Sequence, residues 1–368
     1  MTLLLTLSSM VALAEPPLVL GEDYLRADAL PDPPPDYGDT PWNVVDLDDL
    51  TVVRMPPEAL VYNFTTGDFR DTLSEALAGR SATYDIAIVT HSDSWTPAFG
   101  NAAAFHLGFN NADVWGTGRD PVVTPEMPLR SGLWMNHVDY WDSWPADTPD
   151  WVFCHEVGHQ WLAYPELGIA EDGGAGDSLA LLGRQRAHWS YFFDTDNSPM
   201  EGNAWVDNGD GTYTTDLSSG MVFGPLDLYM MGLADAEDVP PQVLLVPSND
   251  GAIHRETAPQ HLWDDVPVTL AATPLSVPID DIIAANGPWQ AGDYTAAHIQ
   301  ALHVVLLAPE EALTDALLDR ARQNRADWLT AWGHCTAEQS VLELGVLDEG
   351  WTLPDLPDAP AAVPPGAW

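Results

Sequence analysis

The segment TPDWVFCHEVGHQWLAY, residues 148–164, places two histidines and a glutamate inside an otherwise apolar run. A threonine suited to an N-cap and a proline suited to the first helical turn open the segment, and Pro165 ends it, which predicts a helix of about four turns. On such a helix His155 and His159 lie on one face, close enough to share one zinc ion, with Glu156 beside the metal. Because an unpaired buried glutamate is costly, the pattern favours a metal site over a helix that carries two histidines incidentally.

Two histidines are too few for a catalytic zinc ion, which normally takes three protein ligands and a water. His188, in RAHWSYFF, lies on the next predicted helix, at 177–193, and is the favoured third ligand. Asp177 and Glu201 are alternatives that stay open, although a helix cap and a loop charge are their ordinary explanations. Zinc lowers the pKa of water towards about 7, so Glu156 can act as the general base and pass the proton to a leaving amine.

The HEVGH motif with its helix resembles the zincin superfamily of zinc metallopeptidases. The wider run through AHWSYFFDTD, MEGNAWVDNGDGTYTT and GPLDLYMMGL, over residues 80–235, is similar to uncharacterised secreted bacterial members of that superfamily. The resemblance implies that His155, His159 and His188 bind Zn2+, that Glu156 is the general base, and that the substrate is a peptide or protein.

One subclass pattern of that superfamily is absent. In metzincins the same run continues with a glycine and a histidine at the positions that Leu162 and Pro165 occupy here. GPLDLYMMGL, residues 224–233, loosely resembles the methionine-bearing turn of metzincins, with Met230 or Met231 as that methionine. An amphipathic core segment is the favoured interpretation of this stretch.

The periodicity of the chain predicts an α+β fold, with a mixed sheet packed on the motif helix and a C-terminal α/β subdomain. The resemblance implies that this sheet and active-site helix have a zincin-like arrangement. The strand at 131–138 precedes the motif helix and is the expected edge on which an extended peptide adds as a further strand. Beside the two helices already named, strands are expected at 51–55, 84–90, 102–109, 131–138, 242–246 and 268–272, and helices at 69–80 and 309–332.

The N-terminal apolar run ends in Ala-Leu-Ala and is typical of a signal peptide at residues 1–14, which predicts a secreted or periplasmic protein. Residues 236–350 are interpreted as a C-terminal subdomain or as the second half of one fold. The other expected boundaries are a Pro/Asp-rich linker or pro-segment at 15–50, a zincin-like catalytic domain at 51–235 and a disordered tail at 351–368.

Charge and hydropathy exclude two classes of partner. The 368 residues include 56 acidic and 12 basic ones, with a formal net charge of −44, so the chain has little with which to neutralise the phosphates of a nucleic acid. After the predicted signal peptide no apolar run approaches the length of a membrane span, so no membrane anchor is expected. The sequence leaves the oligomeric state open.

Two further features have alternative interpretations. Cys154 and Cys335 are the only cysteines, and they form either one disulfide or two buried thiols. The stretch DNGDGTYTTD, residues 207–216, offers Asp207, Asn208 and Asp210 as oxygen ligands for Ca2+, whereas a hairpin with a Gly-containing turn explains it equally well.

The function expected from these features is a secreted zinc metallopeptidase that hydrolyses peptide bonds with Glu156 as general base. The alternative is a secreted binding or adhesion module, with a structural metal site or an inactive zincin fold. A closed fourth coordination position, filled by Asp177 for example, would favour the alternative.

Overall fold

A computed structural model describes a large part of the chain. The predicted signal peptide at 1–14 and the predicted tail at 351–368 lie outside the described residues. The described residues are 42–47, 49–56, 66–78, 84–92, 103–116, 122–124, 127–145, 147–168, 179–217, 221–248, 253–260, 266–290, 292–309 and 311–346.

The described residues form twelve strands and five α-helices, together with short 3-10 turns. The strands are β1 Asn43–Asp46, β2 Thr51–Arg54, β3 Ile86–His91, β4 Phe105–Gly108, β5 Ser131–His137, β6 Trp189–Asp194, β7 Glu201–Asp207, β8 Thr212–Asp216, β9 Gln242–Pro247, β10 Thr269–Val277, β11 His298–Leu307 and β12 Val341–Leu344. The helices are α1 Thr66–Leu77, α2 Thr148–Gly158, α3 Pro225–Met230, α4 Ile279–Asn286 and α5 Asp315–Cys335. The fold is therefore mixed α+β, as predicted.

A seven-stranded mixed sheet carries the helix α2. Its order is β1-β2-β11-β3-β5-β4, and β12 pairs with β11 as well. The neighbours from β2 to β5 are parallel, while β1 and β4 are antiparallel to their partners at the two ends. All six residues of β3 and nearly all of β11 are buried, which is typical of parallel strands covered on both faces.

Helices cover the two faces of this sheet. Side chains alternate along β3, so Ile86 and Ile88 pack in the apolar cluster that contains α2 and α5, while Val89 packs in the cluster that contains α1. The approach of α1 to the sheet requires Gly132 in β5, since a Cβ there would lie 2.6 Å from Leu73 Cδ1. The helix α2 is thus held between the sheet and α5.

The remaining strands form a closed five-stranded barrel in the order β10-β8-β7-β6-β9. Its strands come from both sides of residue 235, and so do the strands of the sheet, in which β11 lies between β2 and β3. This interleaving is the arrangement expected if residues 236–350 are the second half of one fold.

The helix predicted at 177–193 is wrong. Within the described part of that range, residues 184–186 form a 3-10 turn and residues 189–194 form the strand β6. The aromatic run WSYFF favours a strand with both faces buried, and all five of these residues are buried. Gly183 and the positive φ of Gln185 (56°) break any continuous helix before it.

The motif helix is shorter than predicted. It ends at Gly158 after 11 residues, and His159 is its C-cap rather than an interior residue. The chain then turns, because the N–H groups of Trp161 and Leu162 both return to the carbonyl of Gly158. Regular structure also begins earlier than expected, since β1 lies within the segment predicted as a linker at 15–50.

The edge strand beside the motif helix is β4, not the strand at 131–138. The latter is β5, which lies between β3 and β4 and is paired on both sides. Among the described strands, β4 stands at the end of the sheet and lies against α2. The sequence could not reveal this order, because β4 comes before β5 in the chain whereas in the sheet it lies on the side of β5 that faces away from β3.

A disulfide joins Cys154 in α2 to Cys335 at the end of α5, across 181 residues of chain. Both cysteines are buried, beside the stacked rings of Phe153 and Trp328. Of the two interpretations of the cysteines, the structure has the disulfide. Within the described part of the chain, no helix is long and apolar enough to cross a membrane.

We expect the double variant Cys154→Ala/Cys335→Ala to lose about 2–5 kcal/mol of unfolding free energy, because the crosslink restricts a long loop in the unfolded chain. Guanidinium unfolding of the oxidised wild type and the variant measures the difference. As a control, reductant added during unfolding should bring the wild type to the midpoint of the variant and leave the variant unchanged. Equal midpoints for the oxidised wild type and the variant would contradict the prediction.

Candidate metal centre

Three buried histidines converge behind the end of α2. His155 lies in the last turn of the helix, His159 is its C-cap, and His188 immediately precedes β6. The Nε2 atom of His155 lies 3.1 Å from Nε2 of His159 and 3.2 Å from Nε2 of His188. Among the described residues these three form the one group of His, Cys, Asp and Glu side chains whose geometry could hold a metal ion.

The spacing of these nitrogens matches a tetrahedral metal ion. Zinc–nitrogen bonds of 2.0–2.1 Å at a tetrahedral angle separate two ligand nitrogens by about 3.3 Å. The observed separations of 3.1 and 3.2 Å are close to that value. Without a cation, three nitrogen lone pairs facing one another inside the protein would repel, so the donor set fits a bound metal.

The other nitrogen of each ring is held by a backbone carbonyl. Nδ1–H of His155 donates to the oxygen of Pro199 at 2.7 Å, and Nδ1–H of His188 donates to the oxygen of Arg184 at 2.8 Å. Nδ1 of His159 lies 3.4 Å from the oxygen of Leu162. A carbonyl can only accept, so these contacts place the proton on Nδ1 and leave the Nε2 lone pair for a metal.

The surroundings keep the three rings uncharged. Burial lowers the pKa of His159 to about 4, and burial with the neighbouring histidines lowers the pKa of His155 well below its usual value. Burial and the nearby Arg184 guanidinium lower the pKa of His188 well below its usual value as well. Neutral imidazoles are the form that binds metals, so no proton has to leave a ring at neutral pH.

Glu156 is buried on the next position of the helix. Burial raises the pKa of its carboxyl to about 8, and the Arg184 guanidinium and a backbone hydrogen bond from His106 of β4 act in the opposite direction. The bond from His106 connects the carboxyl to the edge strand. A nearby metal dication would favour the carboxylate form, so the two parts of the HEVGH motif support each other.

Glu201, the alternative third ligand, is engaged elsewhere. Its carboxylate receives two hydrogen bonds from the Arg184 guanidinium, and its Oε1 lies 3.7 Å from Nε2 of His188. It therefore lies next to the histidine cluster but outside it. Asp177, the other alternative, lies outside the described residues.

The glycine of HEVGH has a packing role. A Cβ on Gly158 would lie 2.7 Å from Sδ of Met200 and 3.2 Å from the ring of Phe223. Glycine therefore allows the segment that contains Met200 to pack on the last turn of α2. The preceding residue, Pro199, provides the carbonyl that holds His155.

Sequence reasoning missed the groups that orient the histidines. The carbonyls of Pro199, Arg184 and Leu162 carry no signal in the sequence, because any residue has a carbonyl. Glu201 was considered as a ligand, but its pairing with Arg184 was missed, because their separation of 17 residues in the chain leaves no local pattern that indicates the contact.

Two other predicted features take ordinary forms. The stretch 224–233 contains the short helix α3, and Met230 and Met231 are fully buried, as a core segment requires. The stretch 207–216 is the hairpin of β7 and β8, in which Asp207 and Asp210 accept hydrogen bonds from the turn itself. A calcium ion at this hairpin stays a prediction.

Comparison with protein-family models, with curated proteins and with solved structures gives no match for this chain. The assignment of the site therefore rests on its own geometry.

We expect His188→Ala to weaken zinc binding by at least about 100-fold, since loss of an outer partner of a ligand alone costs 10–100-fold. The matched control is His254→Ala, which removes an exposed histidine and should bind zinc as the wild type does. Competition with a chromophoric chelator measures both affinities. If the two variants bind zinc equally well, His188 is not a ligand.

The raised pKa of Glu156 predicts how the stability of the metal-free protein depends on pH. The unfolded carboxyl has the ordinary glutamate pKa of 4.5 and the folded one a pKa of about 8, so the folded state binds more protons between these values. The contribution of Glu156 to stability is therefore fully present below pH 4.5 and falls by up to ~5 kcal/mol as pH rises to about 8. The buried histidines, whose pKa values are lowered, act in the opposite direction in the wild type and in Glu156→Gln alike, so the difference between the two proteins measures this fall.

Chelator-treated protein unfolded in urea at a series of pH values tests this fall. The Glu156→Gln variant should lack it, because glutamine does not titrate, and zinc should reduce it in the wild type. A wild-type curve parallel to that of the variant would exclude the raised pKa.

Proposed function

We propose that the chain is a zinc-dependent peptidase with a zincin-like arrangement of sheet and active-site helix. The observation that supports this most is the convergence of three neutral imidazoles beside a buried carboxyl, all from one short helix and one loop. Three histidine ligands are a common donor set of catalytic zinc, and imidazole suits zinc better than it suits calcium or magnesium.

The ligand set that the described residues form supports catalysis over a structural role. Structural zinc sites are closed by four protein ligands, whereas catalytic sites keep one position for water or substrate. Among the described residues, no fourth side chain joins His155, His159 and His188. Glu201 does not fill that role because its carboxylate pairs with Arg184.

Glu156 performs the proton transfers in this proposal. Zinc, when bound, polarises a carbonyl group and makes water more acidic. The Glu156 carboxylate accepts a proton from the attacking water and then delivers it to the nitrogen of the leaving amine. Burial raises the pKa of this carboxyl, and a bound metal dication would lower it and so favour the carboxylate form that the first step needs.

The strand β4 gives the substrate a place to bind. It stands at the end of the sheet among the described strands, lies against α2, and donates a backbone hydrogen bond to Glu156 from His106. An extended peptide that adds to a sheet edge is held by its main chain, so its carbonyl groups can be presented to a fixed site. The peptide-binding edge is therefore proposed at β4 and no longer at β5, the strand expected from the sequence.

A secreted or periplasmic location is part of the proposal. The disulfide between Cys154 and Cys335 supports it, since disulfides persist mainly in oxidising compartments. A peptide or protein outside the cytoplasm would then be the substrate.

Glu156→Gln tests the proposed chemistry. We expect the variant to retain zinc and to lose about 100-fold to 10,000-fold in kcat on casein or a fluorogenic peptide, because the amide cannot accept the proton. Glu75→Gln is the matched control, since Glu75 is an exposed glutamate on α1 and should have wild-type activity.

Two outcomes would contradict the proposal in different ways. Undiminished hydrolysis by zinc-loaded Glu156→Gln would exclude Glu156 as the base. Stoichiometric zinc in a wild-type protein that cleaves neither casein nor a mixed peptide library would favour the alternative, a binding module with a structural metal.

A further inference from the structure

Asp227 is a buried carboxylate on α3, with 2% of its surface exposed. Its Oδ1 accepts a hydrogen bond from Nε1 of Trp189 at 2.7 Å, and its Oδ2 accepts from Oγ of Ser198 at 2.7 Å and from the backbone N–H of Gly224 at 2.9 Å. Burial raises its pKa to about 6, while these hydrogen bonds lower it, so the group is mostly ionised above pH 7. The zinc chemistry proposed above does not use this carboxylate.

The two side chains that bond to Asp227 are sequence neighbours of the metal site. Trp189 directly follows His188, the ligand from the loop. Ser198 directly precedes Pro199, whose carbonyl holds Nδ1 of His155. One carboxylate is therefore hydrogen-bonded both to the residue after His188 and to the residue before the carbonyl group that holds His155.

The segment from Ser198 to Glu201 transmits this connection because it is rigidly bonded. The N–H of Glu201 donates to the carbonyl of Ser198 at 3.0 Å, and the N–H of Met200 donates to Oγ of Ser198 at 3.0 Å. The N–H of Trp189 donates to the carbonyl of Met200 at 2.9 Å. A shift of either bonded side chain would thus move both the loop ligand and the carbonyl that orients His155.

We propose that Asp227 is a positioning residue of the metal centre: it bonds Trp189 and Ser198 to one fixed point and so sets the relative placement of His188 and His155. This inference rests on the proposed metal site. It requires no contact between Asp227 and the metal.

The chemistry of these hydrogen bonds explains why a carboxylate is needed. Hydrogen bonds to an ionised acceptor are shorter and about twice as strong as those between neutral groups. The carboxylate accepts all three bonds, whereas an amide at the same place would direct one N–H group at another donor. Loss of the acceptor leaves the Trp189 indole N–H and the Ser198 hydroxyl without this buried partner, so both segments would relax to new positions.

The test compares metal binding by Asp227→Asn and Trp189→Phe with that of a matched control, Trp332→Phe. Trp189 and Trp332 are both 1% exposed and each donates one buried indole hydrogen bond, but the bond from Trp332 goes to Ser340. The probes are Zn2+ in competition with a chelator and the visible spectrum of bound Co2+, which reports the geometry of its ligands. Urea unfolding of the metal-free proteins measures the structural cost of each change.

We expect zinc affinity to fall about 10-fold to 100-fold in Asp227→Asn and Trp189→Phe, with a changed Co2+ spectrum, and to remain at the wild-type value in Trp332→Phe. Should Asp227→Asn fail to fold, Trp189→Phe and Ser198→Ala remove its two side-chain bonds one at a time and are expected to weaken zinc binding. Wild-type affinity and spectrum in the folded variants would overturn the inference and leave the metal site intact. An equal loss in Trp332→Phe would overturn it too, since the effect would be general loosening. Absence of zinc binding by the wild type would instead overturn the metal site, and this inference with it.

Discussion

The cost of burying ionisable groups governs the architecture around the helix α2. Two histidines and a glutamate lie almost fully inside the protein, in a segment whose other buried residues, apart from Gln160, are apolar. Such groups are stable there when they are neutral, hydrogen-bonded or placed around an ion. All three conditions apply: the pKa of His159 is lowered and that of Glu156 is raised by burial, each ring has a carbonyl for Nδ1, and the Nε2 atoms converge.

The rest of the structure holds this arrangement from several sides. The mixed sheet contacts α2 on one side, and α5 contacts it on another, with the disulfide from Cys154 to Cys335 joining the two helices. The segment before β6 provides His188 and the Arg184 carbonyl that orients it, and the turn between β6 and β7 provides the Pro199 carbonyl that orients His155. The barrel strand β6 begins directly after His188, and β7 begins at Glu201, two residues after Pro199, so the barrel fixes the C-terminal end of each of these two segments. The geometry of this candidate metal centre therefore depends on many residues besides its three histidines.

How far the sequence predicted this site depends on the range of each interaction. The i, i+4 spacing of His155 and His159 is local, so it predicted their shared face correctly even though the helix ends earlier than expected. His188 was proposed as the third ligand from a predicted helix that is instead a 3-10 turn and a strand. The structure brings His188 to the other two histidines because β6, which begins directly after it, pairs with β7 and β9. A pairing between distant strands leaves no periodic signal near the residue itself.

The sequence by itself determined the local part of the site: the HEVGH spacing and the apolar setting that makes a lone glutamate costly. These properties follow from helical geometry and side-chain chemistry, which act over a few residues. Only the tertiary structure decided which strand stands beside α2, which carbonyls hold the rings, and that Glu201 pairs with Arg184. Those choices depend on backbone groups that every residue has and on strand pairings between distant segments, so they exist only when the chain is folded.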